Sequence, residues 1–242
     1  MKLKLDDLGA SLSQGLLPIY LISGDEPLLV GEALDQIRTM ARDNGYLERE
    51  LHVAERGFDW AGLLANTGNL SLFAERRIID LRLPTGKPGD GSKMIAALAE
   101  QPPEDTLVLI SAPKLESSQL SSKWVKAIDK AGAIVRIWPI EAGALPGWIN
   151  NRLRRQGLNA SRDAVLQLAR RVEGNLLAAK QEIDRLALEC TGGELGVDDV
   201  ENTVADSTRY TIFKLADEAL AGRTPRALRM LAGLQREGLA PV

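Results

Sequence analysis

Short apolar runs of strand length alternate with segments of helical period through the first 140 residues. The strand-like runs cover residues 18–23, 50–54, 77–83, 106–111 and 133–138. The helical segments between them cover residues 28–43, 60–65, 93–100 and 118–130. Apolar strands separated by helices are typical of a parallel sheet covered by helices on both faces. The pattern therefore predicts an α/β domain.

After residue 138 the pattern changes. Pro139, Gly143 and Pro146 punctuate a short stretch, and everything beyond it has helical period, so we predict a domain boundary near residue 141. A small bundle is predicted from helices at 146–156, 162–173, 176–190 and 198–204, with Ser161 and Asn175 as N-caps. A further helical pair follows at 211–221 and 225–237. We expect domains at 1–140, 141–208 and 209–242.

Two large apolar side chains, Leu72 and Phe73, stand in a short loop beside the strand-like run that ends at Pro84. The polar run 66–69 ends the helical pattern before them. An exposed Leu or Phe forgoes the stabilisation of burial, about 1.5–3 kcal/mol per side chain. The pair therefore either packs against its own sheet or fills the pocket of another protein.

Composition restricts the class of protein. The chain has 242 residues, 45% of them hydrophobic, and a formal charge of −3, so no global basic field attracts it to nucleic acid or membrane. Cys190 is the only cysteine, which excludes an intrachain disulfide and a Cys-based zinc module. The chain contains no apolar run of membrane-spanning length. We expect a soluble cytoplasmic protein without a membrane partner.

The first strand-to-helix turn, residues 23–27, lacks the lysine that a phosphate-binding loop requires. Asp25 stands where phosphate charge would lie, and we expect it to cap its own helix with Pro27 in the first turn. The glycine-rich stretch 86–93 contains two lysines but follows the wrong strand, and we interpret it as a surface loop. We expect no nucleotide cofactor.

No other chemistry is indicated. Asp80 resembles a magnesium-binding aspartate, but Leu81 follows where a catalytic glutamate would be expected. His52 is the sole histidine, and a histidine on a strand face is more often structural. Cys190 ends an amphipathic helix and is interpreted as a packing residue. We expect no catalytic residues, no metal site and no enzymatic activity of the chain itself.

Basic residues cluster once, between residues 148 and 186, where they outnumber acidic residues by eight to four. Arg152, Arg154 and Arg155 are the candidates for contact with DNA phosphate or an acidic protein face. The alternative is a solvated helix face, because no aromatic residues interleave with these arginines as single-strand stacking would require.

Five segments together resemble one known family, the delta subunit of the bacterial DNA polymerase III clamp loader. They span nearly the whole chain in the right order: YLISGDEPLL (20–29), SLFAERRIIDLRLP (71–84), LVLISAPKL (107–115), VEGNLLAAKQEIDRLAL (172–188) and FKLADEALAGRTPRALRMLAGLQREG (213–238).

The resemblance implies an AAA+ arrangement: a RecA-like α/β domain, a helical lid domain and the start of a helical collar domain. Family members run well past Val242, so most of the collar is expected to be absent. Delta subunits resemble ATPases without being one. In agreement, Leu177 stands where motor subunits carry a lid arginine, and no SRC arginine-finger motif occurs.

The resemblance also implies partners. In this family an exposed Leu-Phe pair inserts into the hydrophobic pocket of the beta sliding clamp and helps to open the ring. These residues correspond to Leu72 and Phe73, with Ser71 and Ala74 keeping the tip small. Gamma/tau and delta-prime subunits would be neighbours in the complex, and primed DNA would be met through the assembly. Two alternatives stay open: an ATPase with an atypical phosphate site, and a DNA-binding adaptor that uses the lid arginines.

Overall fold

The computed structural model describes residues 1–63, 76–190, 194–203, 210 and 212–236. The contacts within the chain divide it into two units, Met1–Pro139 and Ile140–Val242. No helix in the described residues is both long enough and apolar enough to cross a membrane.

The first unit is built on a six-stranded sheet in which every pair of neighbouring strands is parallel. Its strands are β1 (Lys2–Leu3), β2 (Ile19–Ser23), β3 (Tyr46–Val53), β4 (Arg76–Arg82), β5 (Thr106–Ala112) and β6 (Ala133–Arg136). Their order is β1-β6-β2-β5-β4-β3, so β2 and β5 lie at the centre. The central strands are buried on both faces, as their apolar sequences require.

Helices cover both faces of this sheet. They are α1 (Leu8–Ser13), α2 (Pro27–Asp43), α3 (Gly91–Glu100), α4 (Ser117–Leu120) and α5 (Lys123–Ala131). On one face, Ile95 of α3 and Ile128 of α5 share a core cluster with Ile79 and Leu81 of β4. Helix α2 contacts β2, β3 and β5. Because side chains alternate along a strand, Asp80 points away from that cluster, towards the face of α2. The α/β prediction for this unit is confirmed.

Three details differ from the sequence expectations. Strand β3 begins at Tyr46, four residues before the predicted start, because charged residues of an edge strand hide its periodicity. Strand β1 and helix α1 were missed, since two and six residues carry too little pattern. The single helix predicted at 118–130 is two helices, and the chain turns between them at Ser121 and Ser122.

The second unit is mostly helical. Its helices are α6 (Leu145–Arg155), α7 (Arg162–Val172), α8 (Leu176–Glu189), α9 (Val197–Thr203), α10 (Ile212–Leu220) and α11 (Thr224–Arg236). Ser161 and Asn175 are the predicted N-caps, accepting hydrogen bonds from the backbone N–H groups of Ala164 (3.2 Å) and Ala178 (3.1 Å). A short parallel pair was not predicted: β7 (Asn159–Ala160) and β8 (Glu194–Leu195). The lid and collar limits stay a prediction.

Candidate functional site

The four residues of the predicted clamp-binding element, Ser71, Leu72, Phe73 and Ala74, lie outside the described residues. What the structure does describe is the chain on either side of segment 64–75. These flanking residues show where the chain enters and leaves segment 64–75.

On the carboxyl side, Arg76 ties the start of β4 to neighbouring loops. Its Nη1 donates a hydrogen bond to the backbone oxygen of Asn44 at 3.0 Å. Its Nε lies 3.6 Å from Oδ1 of Asp105, and its guanidinium carbon lies 5.6 Å from the centre of the Tyr46 ring. These are exposed contacts, individually weak, but they approach one side chain from three directions.

Arg77, the next residue, is more deeply held. Its side chain is only 14% exposed, and Nη1 lies 3.0 Å from Oε1 of Glu50 on β3. Its backbone N–H donates to the carbonyl of Asp105 at 3.0 Å. The first residues of β4 are therefore fixed to β3 on one side and to the entrance of β5 on the other.

On the amino side, a helical turn at residues 60–63 leads into the segment. Asp59 caps this turn by accepting a hydrogen bond from the N–H of Gly62 at 2.9 Å. Leu63, the last described residue before the gap, belongs to the main core cluster and is 3% exposed. Trp60 packs edge-on against Phe58, with ring centres 4.9 Å apart. The chain therefore enters segment 64–75 from a buried residue.

The close approach of Gly91 fixes Trp60 from the other side. A Cβ atom at Gly91 would lie 2.2 Å from Cε2 of Trp60, so only glycine fits there without displacing the indole. Gly91 is the first residue of α3 and is buried. Its small size allows the helix to approach the aromatic pair that supports the amino side of the segment.

The turn after β2 is the place where a nucleotide phosphate would bind in an ATPase of this topology. Here Asp25 accepts a hydrogen bond from the backbone N–H of Lys114 at 2.8 Å. The hydroxyl of Ser23 donates to the carbonyl of Pro113 at 2.8 Å and accepts from the N–H of Leu115 at 3.1 Å. The polar groups of this turn are therefore bonded to the loop that follows β5.

The prediction that Asp25 caps its own helix is wrong. The N-cap of α2 is Glu26, whose side chain accepts from the N–H of Leu28 at 3.4 Å. Burial raises the pKa of the Glu26 carboxyl, and the hydrogen bond from Leu28 lowers it in part. Asp25 does not cap α2 because its carboxylate accepts the hydrogen bond of the Lys114 backbone N–H instead. Pro27 does occupy the first turn of α2, as predicted.

A cavity opens beside this turn, at the carboxyl edge of β2, β4 and β5. It is lined by Gly24, Asp25, Pro27, Val30, Val53, Arg82, Leu83, Pro84, Ser111, Ala112 and Pro113. Asp25 and Arg82 are the charged members, and no lysine is among them. The lining is chiefly aliphatic and proline side chains, which offer little to a polyphosphate.

Asp80 is completely buried and is held by two arginines. Its Oδ2 lies 2.7 Å from Nη2 of Arg38 on α2 and 2.6 Å from Nη2 of Arg49 on β3. Two guanidinium groups therefore stand where a magnesium ion would bind an aspartate at this strand. The cluster joins α2, β3 and β4. The sequence analysis did not predict that Arg38 and Arg49 would pair with Asp80. A buried acid in an apolar strand was itself a signal that cationic partners should exist.

The surroundings of His52 and Cys190 fit structural roles. Nε2 of His52 lies 3.4 Å from Oε2 of Glu50, and the His52 ring packs edge-on against Phe58. Burial and the nearby carboxylates of Asp199 and Glu189 raise the pKa of the Cys190 thiol, which disfavours the nucleophilic thiolate. The described residues hold no group of three or more His, Cys, Asp or Glu side chains arranged for a metal ion.

The predicted basic cluster is divided by the fold. Arg152 is half-buried, with its guanidinium carbon 4.1 Å from the centre of the Trp148 ring. Arg154 and Arg155 are exposed in the last turn of α6, where positive charge is favoured by the helix dipole. Two of the other members pair with acids of α8: Lys180 with Asp184, and Arg185 with Glu182 and Glu189.

The sheet order, the central buried strands and the helices that follow define a RecA-like α/β domain with a helical C-terminal part. The Bacillus subtilis DNA clamp loader delta protein has the same fold: the match covers 98% of this chain and 73% of that one, with a TM-score of 0.65 and 20% identity.

Sequence comparison identifies the family. A family model described as "DNA polymerase III, delta subunit" matches residues 20–137. DNA polymerase III subunit delta of Escherichia coli strain K12 is 32% identical over 238 residues, covering 98% of this chain and 69% of that protein. The Haemophilus influenzae subunit is 30% identical over 240 residues, with 98% and 70% coverage. The chain belongs to the DNA polymerase III delta subunit family, a clamp-loader family of DNA replication.

Proposed function

We propose that this chain binds the ring-shaped beta sliding clamp through Leu72 and Phe73 and helps to open the ring for loading onto primed DNA. Family membership supports this assignment. The observation that carries it is that the described residues on both sides of segment 64–75 are held by the domain: Leu63 is buried, and Arg77 is ion-paired with Glu50. A binding element whose flanking residues are fixed loses less conformational entropy on binding than one whose flanking residues are free.

The expected affinity follows from burial. A Leu or Phe side chain that leaves water for a partner's pocket contributes about 1.5–3 kcal/mol. The pair together would contribute about 3–6 kcal/mol, which corresponds to a factor of about 10²–10⁴ in the dissociation constant. Ser71 and Ala74 on either side are small, so they allow the pair to enter a narrow pocket.

Calorimetric titration of the purified clamp into the chain tests the proposal. The double variant Leu72→Ala with Phe73→Ala should bind about 10²- to 10⁴-fold more weakly. The matched control is Leu47→Ala with Leu51→Ala, which removes two exposed apolar side chains from edge strand β3. The control should bind like the unmodified chain. An unchanged affinity of the first variant, with both variants folded, would refute the assignment.

Opening is a separate claim and has its own readout. Binding can open a ring only if the chain prefers the open clamp over the closed one. Dyes placed across one clamp interface should separate when the chain is added and should not separate with the Leu72 and Phe73 double variant. Tight binding without dye separation would support clamp binding by this chain but refute its proposed role in opening the ring.

The neighbours of this chain in the complex are proposed to be the gamma/tau and delta-prime subunits, joined through the helical pair α10–α11. This pair exposes five large apolar side chains: Ile212, Phe213, Leu220, Leu228 and Leu231. Such a surface is typical of helices that pack against further protein. We assign residues 209–242 to the collar, 141–208 to the lid and 1–140 to the RecA-like domain, acting in the cytoplasm.

The proposal treats the chain as a subunit without its own ATPase, so that ATP-using partners would control when the clamp-binding element is presented. Support comes from the turn after β2, where Asp25 bonds the N–H of Lys114, and from the two arginines that occupy Asp80. The lid arginines Arg154 and Arg155 stay available for the alternative of direct DNA contact, which titration with primed DNA would reveal through its salt dependence.

A further inference from the structure

A cationic and aromatic surface lies at the β6 side of the sheet, away from the β3–β4 connection. A cavity of about 210 Å³ is lined there by Lys2, Lys126 and Arg136, with Asp129 as its acidic member. Leu120, Val125 and Ile134 complete the wall. Three cations therefore surround one small recess in a chain whose net charge is −3.

Arg136 connects this recess to an exposed tryptophan. Ile134, Arg136 and Trp138 are two residues apart and so share one face of the chain as it leaves β6. The guanidinium carbon of Arg136 lies 4.7 Å from the centre of the Trp138 ring, and Nζ of Lys114 lies 5.4 Å from it. Trp138 is nevertheless 50% exposed. We call Lys2, Lys114, Lys126, Arg136 and Trp138 the β6 patch.

The cations of the β6 patch lack acidic partners among the residues that the structure describes. Within the described part of the chain, Lys2, Lys114, Lys126 and Arg136 form no ion pair with an acidic side chain. Asp129, the acid beside them, is engaged by the amino group of Met1 at 3.3 Å. The contrast with the second unit is clear, because there Lys180 and Arg185 both pair with acids.

From this arrangement we infer that the β6 patch binds single-stranded nucleic acid, with the cations contacting phosphates and Trp138 stacking on a base. Proteins that bind single strands without sequence preference combine these two elements, a basic groove and an exposed aromatic ring. An acidic peptide would use the cations but offer no planar group to the exposed half of the Trp138 indole. A duplex would offer phosphates, but its bases are already stacked and cannot cover Trp138.

The test uses an oligothymidylate of about 16 nucleotides, an abasic oligomer of the same length and poly-glutamate, titrated into the whole chain at about 50 mM salt. Trp138→Ala should weaken oligothymidylate binding by about 5- to 150-fold and should leave abasic binding nearly unchanged. Lys126→Gln with Arg136→Gln should weaken both oligomers. The slope of log affinity against log salt should become shallower by about 1.4, or about 0.7 per lost contact.

The matched control is Lys87→Gln with Lys93→Gln, which removes two exposed charges elsewhere in the same unit. It lowers the net charge equally and should keep the wild-type affinity and salt slope. The inference is overturned if the control and patch variants behave alike, if no oligomer binds saturably, or if poly-glutamate binds more tightly than oligothymidylate.

This inference does not depend on clamp binding, and the two can fail separately. Patch variants should keep their calorimetric affinity for the clamp, and the Leu72 and Phe73 double variant should keep its affinity for oligothymidylate. Lys126→Gln alone, at an exposed position of α5, provides a variant whose fold is not at risk. Its salt slope should change by about 0.7.

Discussion

Two connections of the same sheet differ in the role that we propose for them. The turn after β2 closes on the protein itself, because Asp25 accepts the N–H of Lys114 and Ser23 bonds both Pro113 and Leu115. In the connection from β3 to β4, the described residues on either side of segment 64–75 are held by the domain: Leu63 is buried, and Arg77 is ion-paired with Glu50. Because the side chains of Asp25 and Ser23 already have hydrogen-bond partners, a bound phosphate would add little stabilisation to the turn after β2. For segment 64–75 we propose the opposite role, in which Leu72 and Phe73 are offered to a partner.

The same contrast extends to charge. Asp80 lies fully buried on β4 between two arginines, so a carboxylate that could have held a metal ion stabilises the fold instead. Four residues earlier on the same strand, Arg76 uses exposed contacts with Asn44 and Asp105. Strand β4 therefore carries a buried ionic cluster at Asp80 and, at its first residue, borders the proposed clamp-binding segment.

The largest expected effect of a single substitution is at the buried ionic cluster of Asp80, Arg38 and Arg49. Asp80→Asn would leave Arg38 and Arg49 without their buried counter-charge, and breaking a buried pair in this way costs about 3–5 kcal/mol. Since Arg49 is 40% exposed, we expect the lower end, about 3 kcal/mol of unfolding free energy, measured by urea denaturation.

The control for this prediction is Asp35→Asn. Asp35 pairs with the same Arg38, at 2.7 Å, but its side chain is 73% exposed. Exposed pairs contribute about 0–1 kcal/mol, so the control should change the unfolding free energy by less than that. Equal effects of the two variants would show that the buried cluster does not stabilise the sheet.

A second prediction concerns the amino side of the segment. Gly91→Ala places a Cβ where Trp60 now packs, and we expect a loss of about 1–3 kcal/mol in unfolding free energy, together with weaker clamp binding. Gly31→Ala on α2 is the matched control, because a Cβ atom at Gly31 would meet nothing within 4 Å. In a helix this change should stabilise by about 0.5–1 kcal/mol.

The comparison of Gly91→Ala with Gly31→Ala can be read by thermal unfolding and by clamp titration. If Gly91→Ala lowers stability but leaves clamp affinity unchanged, the aromatic support of Trp60 and Phe58 has no part in presenting segment 64–75. If both variants are neutral, the close approach of α3 to Trp60 is not required for the fold.

The smallest expected effect is at the turn after β2. Addition of ATP with magnesium should produce no saturable heat in calorimetry, because the cavity beside Asp25 offers no lysine and Asp25 and Ser23 already bond the loop after β5. A dissociation constant in the micromolar range would contradict this prediction and revive the alternative of an ATPase with an atypical phosphate site.

The sequence was sufficient for the fold class because the central strands are buried on both faces and read as unbroken apolar runs, as in residues 106–111. It was insufficient where structure depends on distant partners. Asp80 meets Arg38 and Arg49 across 42 and 31 residues, and no local pattern reveals which strand or helix supplies a counter-charge. Asp25 was assigned to its own helix for the same reason, since its real donor is Lys114.

Local signals succeeded where the physics is local. Ser161 and Asn175 cap the helices that they precede, because a side chain two or three residues from an unpaired N–H needs no tertiary partner. The assignment of Leu72 and Phe73 to clamp binding depends neither on a local capping signal nor on a contact within the fold. It rests on an apolar pair in a loop and on family resemblance, and it stays a prediction.

The most direct test of this assignment is the affinity of the chain for the purified clamp, measured by calorimetry with and without ATP. The account predicts saturable binding that is the same in both conditions and that weakens by about 10²–10⁴ in the Leu72→Ala, Phe73→Ala variant. Binding that requires ATP, or a folded double variant that binds as tightly as the unmodified chain, would contradict it.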